Sequence, residues 1–422
     1  MIVNYEFLCD EAMDNVITFM KHKIDKAVYF GYKDTIQGQK QRTESFLLET
    51  CGVKEVEFIP LPAHDLDGTI DLMRKHINNE SDLGNELFFD ITGGESSILV
   101  AFGILAREYN AAIVEYDIEN NKLIQTDCNS KANNSEMSSD GSQSKSLCPS
   151  NKLSDLAPHQ NIPLTLDLLA RMHGGCINMS LRKNIKHIKN PEFIKDVENI
   201  YKIASQNFEY WNPFSEFLRN TLAPVYDLHV NKRMQTIQAA LKSSKTNINS
   251  LSKLNEIVTS LVNIGVLKDL DITNSHYRFS FKNRAILDCL WEGGAILELH
   301  TWHEESKTAT ECQVGVHLDW DGIIHEQYGN DVLNEIDVLV LRGNIPTFIS
   351  CKSGNLSRFQ TLHALYELDT VARRFGGKYA KKALVVTKEL GPAYEERARE
   401  MGIEIRKNVS NTTNIACSFI YL

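Results

Sequence analysis

The chain reads Asn334-Glu-Ile-Asp-Val-Leu-Val-Leu-Arg-Gly-Asn-Ile-Pro-Thr-Phe-Ile-Ser-Cys-Lys-Ser-Gly354 in its last quarter. The two apolar runs of this stretch predict consecutive strands joined by a tight turn at Arg342-Gly343-Asn344. Asp337 interrupts the first run, where an ionised carboxylate is costly unless a partner such as a divalent cation compensates it. Alternation along the second strand places Ser350 and Lys352 on the same face. The stretch therefore predicts an acid and a lysine that meet in an apolar sheet.

This arrangement resembles the PD-(D/E)xK nuclease superfamily, in which two acids bind metal and the lysine orients or activates a water molecule. In this chain the tripeptide is Ser350-Cys351-Lys352, so a serine stands where the second acid is expected. The resemblance implies that Asp337, the Cys351 carbonyl and one further acid hold Mg²⁺ or Mn²⁺, with Lys352 beside the water. Ser350 is at most a hydrogen-bonding partner of a ligand water.

Two residues are candidates for the missing acid, Glu367 and Glu335, and Glu298 is a further acid at a position where superfamily members often place one. Glu367 lies 15 positions beyond Lys352 in a predicted helix over 357–375, where some superfamily members place this acid. Glu335 shares the predicted face of Asp337 and is the reserve candidate. Glu298 ends a predicted helical run just before the first strand of the same domain. Glu298 and Glu367 are equally compatible with ordinary surface acids, so the alternatives stay open.

Length and composition limit the class of protein. A chain of 422 residues with 42% hydrophobic content predicts two or three domains with substantial cores. No apolar run approaches the length of a membrane span, and no basic region precedes an apolar stretch at the N-terminus, so we expect a cytoplasmic protein without a membrane partner. The nine cysteines include no CxxC pair, which favours reduced thiols and gives no zinc signature.

Charge is unevenly distributed along the chain. Residues 1–127 carry 11 Lys and Arg against 23 Asp and Glu, whereas the whole chain carries 45 against 55. The remainder is therefore slightly basic, at a net +2. We expect any surface for nucleic acid in the later part of the chain, and any phosphorylated ligand of the first part to rely on local backbone donors.

The order of predicted elements indicates an α/β fold with several domains. Residues 1–127 alternate apolar strands with helices, which is typical of a parallel, Rossmann-like sheet. Residues 128–160 are rich in Ser and Asn and predict a disordered insertion or linker. Residues 161–284 are mainly helical and end in a helix-then-hairpin order that resembles a winged helix. Residues 285–422 form the predicted α/β domain that contains the hairpin quoted above.

A second motif, Thr92-Gly93-Gly94, follows an apolar strand and precedes an apolar helix. Two glycines allow a tight turn and a close backbone approach, and the start of a helix favours phosphate or ribose oxygens. Glu95 would repel a phosphate, so an adenine or ribose contact suits it better. The motif alone is weak, because many α/β proteins contain such a turn.

Together with its position and partner domain, the motif resembles that of CARF domains, the sensors of cyclic oligoadenylates in CRISPR defence. The resemblance implies a homodimer that binds the cyclic ligand on its two-fold axis, through the loops after the first, second and fourth strands. The implied ligand-site residues are Leu8, Cys9, Asp10, Gly31, Tyr32, Lys33, Asp34, Thr92, Gly93, Gly94, Glu95 and Ser96.

The whole layout resembles the CARF-fused ancillary nucleases of type III CRISPR systems. It implies a metal-dependent endonuclease for DNA, RNA or both, activated by cyclic tetra- or hexa-adenylate, with cyclic tetra-adenylate preferred. An alternative is a ligand-controlled, nucleic-acid-binding regulator whose nuclease domain is inactive, which Ser350 favours. A further alternative is a sensor that degrades its own ligand, for which Lys33 and His64 are the only candidate groups.

Overall fold

The computed structural model describes residues 1–62, 65–127, 161–177, 187–225, 227–244, 248–322 and 333–407. The predicted insertion at 128–160 and His64 lie outside these residues. The described residues form two six-stranded sheets and one three-stranded sheet, surrounded by helices. None of the described helices is long and apolar enough to span a membrane.

The first sheet has the strand order β3-β2-β1-β4-β5-β6. Its strands are β1 Ile2–Phe7, β2 Lys26–Gly31, β3 Glu55–Pro60, β4 Glu86–Asp90, β5 Ala112–Asp117 and β6 Lys122–Asp127. The first five pair in parallel, and β6 folds back antiparallel to β5. The helices between them are α1 Ile17–Lys21, α2 Lys33–Phe46, α3 Leu66–Asp82 and α4 Ser96–Glu108. The five strands predicted here are present, whereas the polar edge strand β6 was not predicted.

The middle of the chain is mainly helical. Its helices are α5 Leu166–Met172, α6 Pro191–Gln206, α7 Phe208–Phe217, α8 Met234–Ser243 and α9 Leu251–Asn263. The three-stranded sheet has the order β8-β10-β9, formed by β8 His229–Arg233, β9 Leu267–Ile272 and β10 His276–Phe281. Helix α9 followed by the β9–β10 hairpin has the order expected of a winged helix. The short strand β7, Cys176–Ile177, pairs instead with the C-terminal sheet.

The C-terminal sheet has the order β15-β14-β13-β12-β11-β7. After α10 Arg284–Trp291 and α11 Ala295–Ser306 come β11 Glu311–Asp319, β12 Leu333–Arg342 and β13 Ile345–Lys352. Then follow α12 Arg358–Gly376, β14 Lys381–Val386, α13 Pro392–Glu400 and β15 Ile403–Lys407. The turn between β12 and β13 contains Gly343 with a φ of +59°, a conformation that favours glycine.

Helices α11 and α12 cover opposite faces of the C-terminal sheet. Apolar residues of α11 share a core with Val338, Val340 and Ile349, whereas those of α12 share another core with Leu339, Leu341 and Phe348. The second core also contains residues of the first sheet, among them Ala27 and Tyr29, and residues of α5. The first and last sheets are therefore joined by one continuous apolar interior.

Candidate functional site

The regular pairing of β12 is interrupted at Asp337. Pairing with β13 extends from Arg342 only as far as Val338, and pairing with β11 skips the position where Asp337 faces Gly315. Gly315 has a φ of +60°, and a glycine inside a strand often marks such a bulge. Ile336 consequently packs in the core on the α12 side while Val338 packs on the α11 side. Asp337 therefore lies where the hairpin opens, that is, where β12 stops pairing with β13 and the two strands separate.

The carboxylate of Asp337 is held by the residues of the Ser350-Cys351-Lys352 tripeptide. The Cys351 backbone N–H donates to Asp337 Oδ2 at 2.5 Å, and Ser350 Oγ donates to the same oxygen at 3.1 Å. Lys352 Nζ lies 3.9 Å from it. Burial raises the pKa of Asp337, and the positive charge of Lys352 and these two donors offset part of that rise. The predicted meeting of an acid and a lysine is thus present in the structure.

Glu298 belongs to the first turn of α11, which differs from the prediction that it ends a helical run. Gly293 and Gly294 separate α10 from α11, and a Cβ on Gly294 would lie 3.0 Å from Glu298 Oε1. The glycine therefore leaves room for the carboxylate. Burial raises the pKa of Glu298 to about 8, and the charges of Asp337 and Glu335 add to this effect.

A cleft of 340 Å³ brings these acids together. It is lined by Arg219, Glu292, Glu298, Glu335 and Asp337. The neighbouring carboxylates raise the pKa of Glu298, and Glu335 raises that of Asp337. Such a set of acids suits a hard divalent cation, because the cation would compensate their repulsion. Sequence reasoning missed Arg219 and Glu292. The break at Gly293-Gly294 and the lone Gly315 inside a strand are the signals that could have drawn attention to this region.

The structure does not bring Glu367 to Asp337. Glu367 lies on α12, on the opposite face of the sheet from α11, and its Oε2 is 3.5 Å from His363 Nδ1. It lines a separate groove of 510 Å³ together with Phe359 and Tyr366. The helical spacing that suggested Glu367 identified one face of α12 but not the face of the sheet that α12 covers.

The loops after β1, β2 and β4 meet at the carboxyl edge of the first sheet. Tyr32 Oη donates to Glu95 Oε2 at 2.8 Å, which raises the pKa of Tyr32. Both residues line a cleft of 250 Å³ with Ser97 of α4. Lys33 and Asp34 are exposed in the first turn of α2. A Cβ on Gly93 would lie 3.0 Å from Cys9 Sγ in the loop after β1, so the three predicted ligand loops are neighbours in space.

Other predicted ligand-site residues have structural partners. Leu8 and Gly31 are buried, and Thr92 Oγ1 accepts the backbone N–H of Tyr116. The Cys9 backbone N–H donates to Asn15, and Asp10 accepts from Gln39 at 3.1 Å. Gly94 has a φ of +133°, and Ser96 begins α4 directly after it and Glu95.

Gly93 packs against Asp14, a residue that the sequence did not single out. A Cβ on Gly93 would lie 2.8 Å from Asp14 Cβ. Asp14 is buried and accepts from Lys378 Nζ at 2.6 Å and from Tyr379 Oη at 2.7 Å, both in the C-terminal domain. Gly93 is thus needed for packing, and its loop contacts a residue bonded to the C-terminal domain.

A further group of metal-ligating side chains lies away from the Asp337 cleft. Glu198, His300 and Glu304 each offer one ligand atom within 4.8 Å of the others. His300 Nδ1 lies 2.9 Å from Glu198 Oε1, and the Tyr201 ring stacks on the imidazole with centroids 3.5 Å apart. The contact of Glu198 with His300 is therefore explained by a hydrogen bond between the packed helices α6 and α11, without a metal ion. The sequence did not predict this group.

The fold is similar to that of two solved structures with low sequence identity. Protein VC1899 from Vibrio cholerae is 16% identical, with a TM-score of 0.66, over 96% of this chain and 94% of that chain. Can2 from Sulfobacillus thermosulfidooxidans, in complex with cyclic tetra-adenylate, is 14% identical, with a TM-score of 0.59, over 96% and 92%. No protein-family model and no curated protein matches the sequence. The predicted α/β fold class is confirmed, and at these identities the likeness establishes the fold alone.

Proposed function

We propose that the chain is a metal-dependent endonuclease for DNA, RNA or both, controlled by a cyclic oligoadenylate bound to its first sheet. The observation that carries the proposal is the meeting of Asp337, Lys352 and Glu298 where the β12–β13 hairpin opens. The similarity of fold to Can2, which contains cyclic tetra-adenylate, supports the sensor half. The biological setting would be antiviral defence by a type III CRISPR system.

The acids of the cleft provide the binding site for the metal ion. Glu298, Asp337 and Glu335 would hold Mg²⁺ or Mn²⁺, since their carboxylates line one cleft and the charges of Asp337 and Glu335 raise the pKa of Glu298. When bound, the ion supplies a Lewis acid for the phosphate and a water molecule of lowered pKa. Glu298 and Glu335 thereby take the role that the sequence suggested for Glu367. The Cys351 carbonyl remains a predicted ligand.

The remaining residues orient these acids and balance charge. Ser350 and the Cys351 N–H fix Asp337 in one orientation, so its carboxylate needs no reorganisation during the reaction. Lys352 places a positive charge beside Asp337, where it can stabilise negative charge that develops on the phosphoryl oxygens. Arg219, on the wall of the same cleft, is positioned to orient a phosphate.

Control by the ligand would pass through Asp14. The Gly93 loop touches Asp14, and Asp14 bonds Lys378 and Tyr379 just before β14. A cyclic oligoadenylate, preferably cyclic tetra-adenylate, that moves this loop would change a contact of the C-terminal domain. A ligand shifts such an equilibrium only by its different affinity for the two states.

The exposed apolar face of α4 supports the proposed homodimer. Val100 and Ile104 are 56% and 45% exposed and lie one turn apart, and Gly103 beside them has open space around it. This face directly follows the ligand loop that contains Gly93. Pairing two copies of α4 would bury these side chains and place two ligand loops about one two-fold axis.

The second candidate function is a ligand-controlled regulator that binds nucleic acid without cleaving it. Ser350 in place of an acid and the winged-helix-like order of α9, β9 and β10 favour this reading. The retained Asp337 and Lys352 oppose it. The two functions differ in whether a divalent metal produces cleavage.

A cleavage assay tests the proposal directly. The chain is incubated with Mn²⁺ or Mg²⁺, labelled single- and double-stranded DNA and RNA, and each cyclic oligoadenylate in turn. We expect cleavage with one ring size, and a loss of at least ~10²-fold for Asp337→Asn and Lys352→Ala. Calorimetry should still give one ligand per two chains in both variants. Ligand-dependent nucleic-acid binding without cleavage in any combination would establish the regulator instead.

A further inference from the structure

A cleft of 620 Å³ lies between α2 and the C-terminal part of the chain, and none of its lining residues belongs to the two sites described above. Three arginines from three different elements line it: Arg42 of α2, Arg171 of α5 and Arg374 of α12. Asp321 is the single acid among its described lining residues. The cleft is therefore a local concentration of positive charge in a chain whose net charge is −10.

Arg42 and Arg374 lie against the same glycine. A Cβ on Gly174 would lie 3.5 Å from Arg42 Cδ and 3.6 Å from Arg374 Nη2. Arg374 donates to the backbone carbonyls of His173, Gly174 and Trp320, so its guanidinium is fixed by neutral acceptors. The two cations thus lie close together beside Gly174.

Neither guanidinium has a carboxylate partner among the described residues. The buried Nε of Arg42 has no hydrogen-bond partner there, and no described acid lies within 4.0 Å of Arg42 or Arg374. Asp10 and Glu11 act on Arg42 only from a greater distance. Burial lowers the pKa of both arginines, and the charge of Arg42 lowers the pKa of Arg374 further. An anion between them would remove this repulsion and satisfy the free donors.

We propose that this cleft binds a phosphate group, carried by a nucleic-acid strand or by a free nucleotide, between Arg42 and Arg374. Guanidinium forks pair with two phosphate oxygens at once, and the volume of the cleft falls within the range of about 300–1,000 Å³ that is usual for ligand sites. Arg171, already 3.2 Å from Glu49 and half exposed, lies at the rim. The site needs neither the metal centre nor cleavage, so it goes beyond the proposed nuclease function.

Arg42→Gln is the test variant, because the Arg42 guanidinium makes no hydrogen bond to any of the described residues that the substitution would remove. The matched control is Arg74→Gln, since Arg74 on α3 is already paired with Asp71 and Glu108. Without added phosphate, Arg42→Gln should melt at or above the temperature of the wild type, because one of two repelling charges is gone. A lower melting temperature would show that Arg42 is structural and would overturn the proposal.

Two probes distinguish the source of the phosphate. Inorganic pyrophosphate, compared with chloride at equal ionic strength, should raise the melting temperature of the wild type and of Arg74→Gln but not of Arg42→Gln. Labelled single-stranded RNA and DNA, in EDTA, should bind Arg42→Gln about tenfold more weakly than wild type, with a salt slope smaller by about 0.7. A response to pyrophosphate alone identifies a free nucleotide, and a response to both identifies a strand. If neither probe distinguishes Arg42→Gln from the control, the site does not exist, whatever the cleavage assay shows.

Discussion

Replacing Glu298 by glutamine should stabilise the protein at alkaline pH when no divalent cation is present. Burial and the neighbouring acids raise the pKa of Glu298 from its ordinary 4.5 to about 8. Folding therefore opposes ionisation of this group, and the cost grows as pH rises from the unfolded value toward the folded one. At 1.36 kcal/mol per pKa unit, the difference between the two pKa values corresponds to about 5 kcal/mol of stability. This is an upper bound, and relaxation and water in the cleft reduce the cost to about 2 kcal/mol.

Glutamine keeps the shape of the side chain and removes the charge, so the variant should lose this cost. Thermal melting in EDTA should give a Tm higher than that of the wild type by roughly 4–8 °C near pH 8, for a domain of about 150–250 residues. The difference should shrink as the pH falls and should vanish below the ordinary pKa of 4.5, where Glu298 is mostly protonated in both states. Glu367→Gln is the control, because its weak exposed contact with His363 should leave Tm nearly unchanged.

If Glu298 helps to hold the ion, adding Mn²⁺ should favour the wild type over Glu298→Gln in melting temperature, the reverse of the comparison in EDTA. Binding to the folded chain alone raises Tm, so Mn²⁺ should stabilise the wild type and Glu367→Gln more than it stabilises Glu298→Gln. A Tm difference that does not depend on pH, or equal stabilisation of all three proteins by Mn²⁺, would refute the assignment of Glu298 to a metal-binding cleft.

Three further outcomes follow from the same geometry. Glu367→Gln should retain cleavage within about twofold of wild type, whereas Glu335→Gln should lose about tenfold or more; the opposite ranking in initial-rate measurements would return the missing acid to α12. Asp14→Asn should leave the calorimetric affinity for the cyclic ligand unchanged but reduce ligand-stimulated cleavage about tenfold, because it weakens the bond to Lys378; full stimulation would remove Asp14 from the route of control. Val100→Glu should convert a dimer into a monomer in light scattering, and a persistent dimer would place the interface elsewhere than on α4.

The pattern of residues along the chain was sufficient to predict several strands and one pair of interacting side chains, although it did not predict the edge strand β6. Alternation and turn residues predicted the β12–β13 hairpin, the five parallel strands of the first sheet and the meeting of Asp337 with Lys352. These features depend on contacts within a strand, a turn or two adjacent strands. Local periodicity determines such contacts, because it sets which side chains share a face.

Tertiary packing alone decided which acids join that pair. The spacing of Glu367 is compatible with the site, but α12 covers the other face of the sheet, and nothing local to α12 specifies that face. Glu298 reaches the cleft because α11 packs on the Asp337 side and begins at a glycine pair. Two further contacts join residues more than 300 positions apart. Asp14 accepts a hydrogen bond from Lys378, and Arg42 lies close to Arg374 beside Gly174. Such contacts arise from how the sheets share one core, which local periodicity does not encode.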